Sequence, residues 1–211
     1  MFMRNFFFLF LLLALLSCEK NSPVITSTGK ISSVHQQQET ESPSVKQSFE
    51  ADIYLVNFTS TQEAKIAKAI ALIKKVILSK EFKARILNYG HDGGMGFVDN
   101  RGLSNEEIYQ KIIDAAETMN GIKNNTMDVE LELYHEATKT IGYTYPDTGR
   151  IWMNTKYFNR YTPVEVSDNL THEWMHKLGF THAMTYSPSR DHTVPYAIGY
   201  IMEELAAKIS P

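Results

Sequence analysis

His172-Glu173-Trp174-Met175-His176-Lys177-Leu178-Gly179-Phe180-Thr181-His182 places three histidines and one glutamate at spacings that suit a single metal ion. His172 and His176 are four residues apart, so on a helix they share one face, one turn above the other. Two imidazoles placed that way can both reach one Zn²⁺ at about 2.0–2.1 Å. Glu173 follows the first ligand and can face an attacking water without ligating the metal. Gly179 lets the chain leave the helix sharply, because glycine accepts the positive φ that a helix C-terminus often needs. The turn brings His182 back as a third ligand. Three protein ligands leave one position of a tetrahedral ion open, which is the pattern of a catalytic site and not of a closed structural one.

Upstream of the motif, Thr162-Pro163-Val164-Glu165 reads as a capping box with proline at the first helical position. On the helix it opens, Leu170, Trp174 and Leu178 fall at about 0°, 40° and 80° around the axis, while His172 and His176 fall near 200° and 240°. An apolar stripe can therefore face a sheet while the histidines turn away from it. Trp174 and Met175 read as core residues. Further upstream, Ala51 to Phe58 alternates and is rich in β-formers, predicting a strand. Ile66, Ala69, Ile70, Ile73 and Ile77 predict a helix over 61–79. Phe82 to Tyr89 fits either a helix or a short strand. His91 to Gly96 reads as a flexible loop. Ser104 and Glu107 form a second capping box, predicting a helix to about Met119. Val129, Leu131 and Leu133 alternate with Glu130, Glu132 and Tyr134, a strand with one wet face. Thr140–Tyr145 and Arg150–Asn154 predict a hairpin about Pro146-Asp147-Thr148-Gly149.

The HExxHxxGxxH stretch resembles the zinc signature of the metzincin metallopeptidases, closely over His172–His182 and only in architecture elsewhere. The resemblance implies an α+β fold: a mixed, twisted β-sheet, a zinc-binding active-site helix, and a short C-terminal subdomain ending in a helix. It implies Zn²⁺ on His172, His176 and His182, Glu173 as general base, and hydrolysis of peptide bonds. It also implies an antiparallel edge strand lining the cleft, here Thr140–Tyr145, on which an extended polypeptide could pair. Metzincins carry a methionine-containing turn beneath the zinc. Met202 is the candidate, with a core position inside a C-terminal helix as its alternative, and Met184 is the rival. Some members use a tyrosine near the metal, and Tyr186, Tyr196 and Tyr200 are all available.

The first 17 residues read as a signal segment: Arg4, then an apolar run from Phe6 to Leu16 that is too short to span a bilayer. Leu15-Leu16-Ser17-Cys18 resembles a bacterial lipobox, which implies cleavage before Cys18, acylation of its thiol, and a partner in the lipid bilayer. Buried methylenes contribute about 0.8 kcal/mol each, so several acyl chains would hold the protein at a membrane. Cys18 is the one cysteine in the sequence, so an intramolecular disulfide is excluded. Residues 18–48 are rich in Ser, Thr, Gln and Glu and poor in large apolar groups, predicting a flexible tether, with a pro-segment as the alternative. Residues 49–211 suffice for one domain with a real core.

The formal net charge is −3 and no basic stretch points to nucleic acid. His91, His135 and His192 have no ligand spacing with the main motif and read as structural or solvated. The expected protein is a monomeric zinc endopeptidase of the bacterial cell envelope. Two other classes fit the same residues: a zinc amidohydrolase acting on cell-wall peptides, and a non-catalytic zinc-binding surface lipoprotein.

Overall fold

The computed structural model describes residues 47–119 and 121–210. The signal segment, Cys18 and the tether up to residue 46 lie outside the described residues. The chain enters through strand β1 (Glu50–Val56) and helix α1 (Ser60–Ile77). The ambiguous stretch after it is helix α2 (Lys80–Leu87), capped by Ser79, whose side chain accepts from the Phe82 amide at 3.1 Å. The supposed loop at His91 is a small hairpin, β2 (Gly90–His91) with β3 (Gly94–Met95).

Helix α3 (Asn105–Ile113) starts at the Ser104–Glu107 capping box but stops six residues short of Met119. Ala115, at φ 47°, turns the chain out of the helix. Glu117 is thereby freed from helical register. It is buried, and it accepts the Trp174 indole N–H at 2.7 Å.

Strands β4 (Thr126–Tyr134), β5 (Gly142–Thr144) and β6 (Arg150–Asn154) complete a four-stranded mixed sheet in the order β1-β4-β6-β5. The β1–β4 and β4–β6 pairs are parallel, and β5 runs antiparallel to β6 at the sheet edge. Strand β4 alternates strictly, with Met127, Val129, Leu131 and Leu133 buried. Its outer face carries Glu130 and Glu132, both paired with Arg150 of β6.

A short helix α4 (Thr155–Phe158) leads to α5 (Pro163–Lys177), and a 3₁₀ turn at Pro188–His192 leads to α6 (Val194–Ile209). Leu170, Trp174 and Leu178 are all buried, and Phe49 meets the Trp174 ring edge-on at 5.6 Å. The stripe predicted on α5 thus faces the core, and α6 packs against the same helix. The result is a mixed α/β domain with six α-helices among the described residues, consistent with the expected α+β class.

Met202 does not sit in a turn. It is fully buried within α6, because Ile198, Met202, Leu205 and Ala206 form that helix's apolar face. Met184 lies in the loop after His182 and is 90% exposed, so neither methionine forms the expected feature.

Candidate metal centre

Helix α5 is opened by Thr162, whose hydroxyl accepts from the Glu165 amide while the Glu165 carboxylate accepts from the Thr162 amide at 2.7 Å. It closes in a Schellman turn: the Gly179 amide donates to the His176 carbonyl at 3.0 Å and the Phe180 amide to Met175 at 3.1 Å. Gly179 has φ 91°, and a Cβ there would lie 2.8 Å from Thr118 Cγ2. Both conformation and space therefore require glycine. This turn carries His182 back to the histidines of α5.

The three histidines offer ligand atoms that all lie within 4.8 Å of one another. His172 Nε2 and His182 Nε2 are 3.1 Å apart, close to the roughly 3.3 Å that two nitrogens keep on one tetrahedral ion. Backbone carbonyls orient the rings. His176 Nδ1 faces the Phe180 carbonyl at 2.8 Å and His182 Nδ1 faces Ala183 at 3.0 Å. His172 hydrogen-bonds the backbone of Pro195, which offers only a carbonyl. Protons committed to these carbonyls leave lone pairs converging on one point, an arrangement that a shared cation satisfies. Burial, then the neighbouring rings, hold His172 well below its ordinary pKa; burial likewise lowers His176. Neutral imidazoles are the ligating form. This cluster could bind a metal ion.

Glu173 is buried, and burial pushes its carboxyl up to about 8, against the opposing pull of Lys177. It packs directly under the edge strand: a Cβ added at Gly142 would lie 3.2 Å from Glu173 Oε1 and 3.0 Å from Asn169 Oδ1. Gly142 thus lets β5 approach the metal helix closely.

Of the three tyrosines, Tyr196 lies nearest the histidine rings. Tyr196, in the first turn of α6, stands 4.5 Å from the His172 ring and 4.7 Å from the His182 ring. Tyr200 is 6.1 Å beyond Tyr196, and Tyr186 is exposed. His91 and His192 stack on each other at 4.7 Å, with His192 Nδ1 bonded to the Tyr89 hydroxyl at 2.9 Å. His135 bonds Thr155 at 3.0 Å. Neither His91, His135 nor His192 joins the cluster, as their spacing implied.

Two further residues escaped the sequence reading. Lys177 is buried and donates to the carbonyls of Tyr145, at 2.9 Å, and Thr148, tying the β5–β6 turn to α5. Its position three residues after Trp174, on the flank of the apolar stripe, was the available signal. Asp168, one turn before His172, is half-buried against α6, where a Cβ on Gly199 would strike its carboxylate. Its spacing of four from His172 was the corresponding signal.

The three clustered histidines, Glu173, Asp168 and Tyr196 border one open cleft of about 1520 Å³, lined on one side by β5 and on the other by the segment after His182. Compared with protein-family models, curated proteins and solved structures, the chain matches none.

Proposed function

We propose that this protein is a zinc-dependent endopeptidase whose site is metzincin-like. The observation that carries the reading is the convergence of three carbonyl-anchored histidines beside a buried carboxyl that lies under an accessible sheet edge. His172, His176 and His182 would hold the ion. Bound there, zinc would supply Lewis acidity, acidifying a water toward a pKa of about 7 and polarising the scissile carbonyl. Glu173 takes the proton of the attacking water and returns it to the leaving amine. The edge strand β5 holds an extended substrate through its free backbone groups, directly above Glu173.

An open cleft of this volume exceeds the roughly 300–1,000 Å³ usual for small-molecule sites. That favours polypeptides over small crosslinked cell-wall peptides. The lipobox-like stretch ending at Cys18 supports export to the bacterial envelope on a lipid anchor.

The test is metal analysis of the full-length protein combined with casein or gelatin cleavage, with and without chelator. Glu173→Gln should keep its zinc and lose turnover by about 10²–10⁴-fold. Normal cleavage by that variant would remove Glu173 from the mechanism. Zinc without chelator-sensitive cleavage of any peptide would favour the non-catalytic zinc-binding reading.

A further inference from the structure

Charge is unevenly distributed along the cleft. Strand β5 and helix α5 run side by side in the same direction: Gly142 lies against Asn169 and Glu173, and the Tyr145 carbonyl lies against Lys177. A peptide laid on β5 therefore runs along the helix, past the histidines, between two differently charged ends. At the end near the start of the helix, Asp168 and Lys139 line the cleft, and beside the histidines Arg190 lies over the Tyr196 ring. At the other end, past Gly179, the lining charges are Arg101 and Lys111.

Neither cation is neutralised by an ion pair among the described residues, and Arg101 is also held in place. Arg101 donates to the Gly179 carbonyl at 2.8 Å, one residue before the carbonyl that anchors His176. Neither Arg101 nor Lys111 has a carboxylate within salt-bridge distance among the described residues; nearby Lys123 is paired with Asp114. The nearest acid felt by Lys111 is Glu117, whose buried carboxyl is itself pushed toward the neutral form. Burial, Lys123 and Arg101 together pull Lys111 below its ordinary pKa, the behaviour of a cation lacking a counter-charge. A cationic end to the cleft is notable in a chain of net charge −3.

We infer that Arg101 and Lys111 form a subsite for an acidic side chain, so that the preferred substrates are polypeptides carrying Asp or Glu on the Gly179 side of the scissile bond. The inference rests on the endopeptidase reading for the position of that bond, but the subsite itself can be read out by binding alone.

The experiment uses the full-length protein in two arms. In the first, fluorescently labelled peptides that differ only by Glu or Gln at successive positions are titrated into the Glu173→Gln protein, and anisotropy gives the affinity ratio. The second arm measures cleavage of the same peptides by the wild-type protein. Glu at one position, on one side of the bond, should bind and be cleaved about fivefold better than Gln, with the preference shrinking as salt is raised. Lys111→Gln should bring the Glu:Gln ratio toward one. Lys111→Glu, at a side chain with no hydrogen bond to lose among the described residues, should shift the preference toward Lys peptides. A ratio near one in the unaltered subsite, or one unmoved by either Lys111 variant, overturns the inference. Cleavage without charge preference overturns only the subsite. A Glu preference in binding, with no chelator-sensitive cleavage of any peptide, leaves the subsite standing and overturns the endopeptidase reading instead.

Discussion

One wall of the cleft is the edge strand β5, paired through its backbone to β6 and tied to α5 by two hydrogen bonds from Lys177. The other is the segment from Ala183 to Tyr196, built from a loop, one 3₁₀ turn and a stacked guanidinium. There Arg190 lies over the Tyr196 ring at 4.7 Å and the Tyr186 ring at 5.2 Å, while its Nε is buried without a hydrogen-bond partner. The first wall shares its hydrogen bonds with the domain's sheet. The second has no ladder in the main sheet; among the described residues its backbone joins the domain at a single bridge between Thr193 and Val98, and residues before that rely on side-chain contacts. Damage to the first should therefore cost global stability, and damage to the second should stay local.

The largest expected effect is on the first wall. Lys177→Met removes the donor for the Tyr145 and Thr148 carbonyls, and hydrogen bonds from a charged group are worth about 1.5–3 kcal/mol each. The depressed pKa of Lys177, about 8, shows that burying this cation is itself costly, which offsets part of the loss. We expect a net destabilisation of about 2–3 kcal/mol in urea unfolding. A wild-type midpoint would mean that the turn does not depend on Lys177.

Asp168, on α5 where α6 packs over it, gives the next effect, with the opposite sign. Burial, then Glu203 and Glu165, raises its carboxyl from 3.8 to about 7. The folded state thus holds a proton that the unfolded chain releases at lower pH, so stability falls as pH rises from about 4 to about 7 and stays reduced above that. Three units correspond to about 4 kcal/mol at most, and partial solvation reduces this to about 2 kcal/mol. Asp168→Asn should be more stable than wild type by about that amount at pH 8, with no gain at pH 4. A gain independent of pH would show that the carboxylate is not the cause.

The same contrast explains what could be read without coordinates. On the first wall, alternation in Val129–Tyr134, the Pro146–Gly149 turn and the Thr162–Glu165 box are periodic or local signals, and each element appears where those signals put it. The histidines were legible because helical spacing and Gly179 encode their convergence. The second wall has no period. Nothing in Tyr186, Tyr196 and Tyr200 tells which ring meets the histidines, since that depends on how α6 docks on α5. Met202 illustrates the same limit: its spacing with Ile198 and Leu205 is helical, and packing decided its place. The shortfall in α3 has a local cause, the positive φ at Ala115, which alanine does not advertise.

Gly142 offers a finer probe of the first wall. Gly142→Ala would set a methyl 3.0 Å from Asn169 Oδ1, 3.1 Å from the Trp152 carbonyl and 3.2 Å from Glu173 Oε1. Overpacking of this kind costs about 1 kcal/mol when neighbours can give slightly. Peptide cleavage should fall by more than that stability loss accounts for, because Glu173 is one of the groups that must move. Full cleavage by Gly142→Ala would show that the strand does not fix the carboxylate's position.

The smallest effect, and the one that separates the walls most directly, is expected from Arg190→Gln. Two part-exposed cation–π contacts are worth about 0.5–1 kcal/mol each, and glutamine can keep the polar link to the Met184 carbonyl. Losing both costs about 1–2 kcal/mol, removing the unpartnered buried Nε offsets part of that, and urea unfolding should shift by less than about 1 kcal/mol. Native-state hydrogen exchange is the sharper measurement. The amides of Thr193 and Ala197, bonded to Arg190 at 3.0 Å and Thr193 at 2.9 Å, should exchange faster in the variant. The Asn154 amide, bonded to Ile141 at 2.8 Å behind the first wall, should not change. If all three amides lost protection together, the two walls would open as one cooperative unit, and the division between a sheet-anchored wall and a locally stacked one would fail.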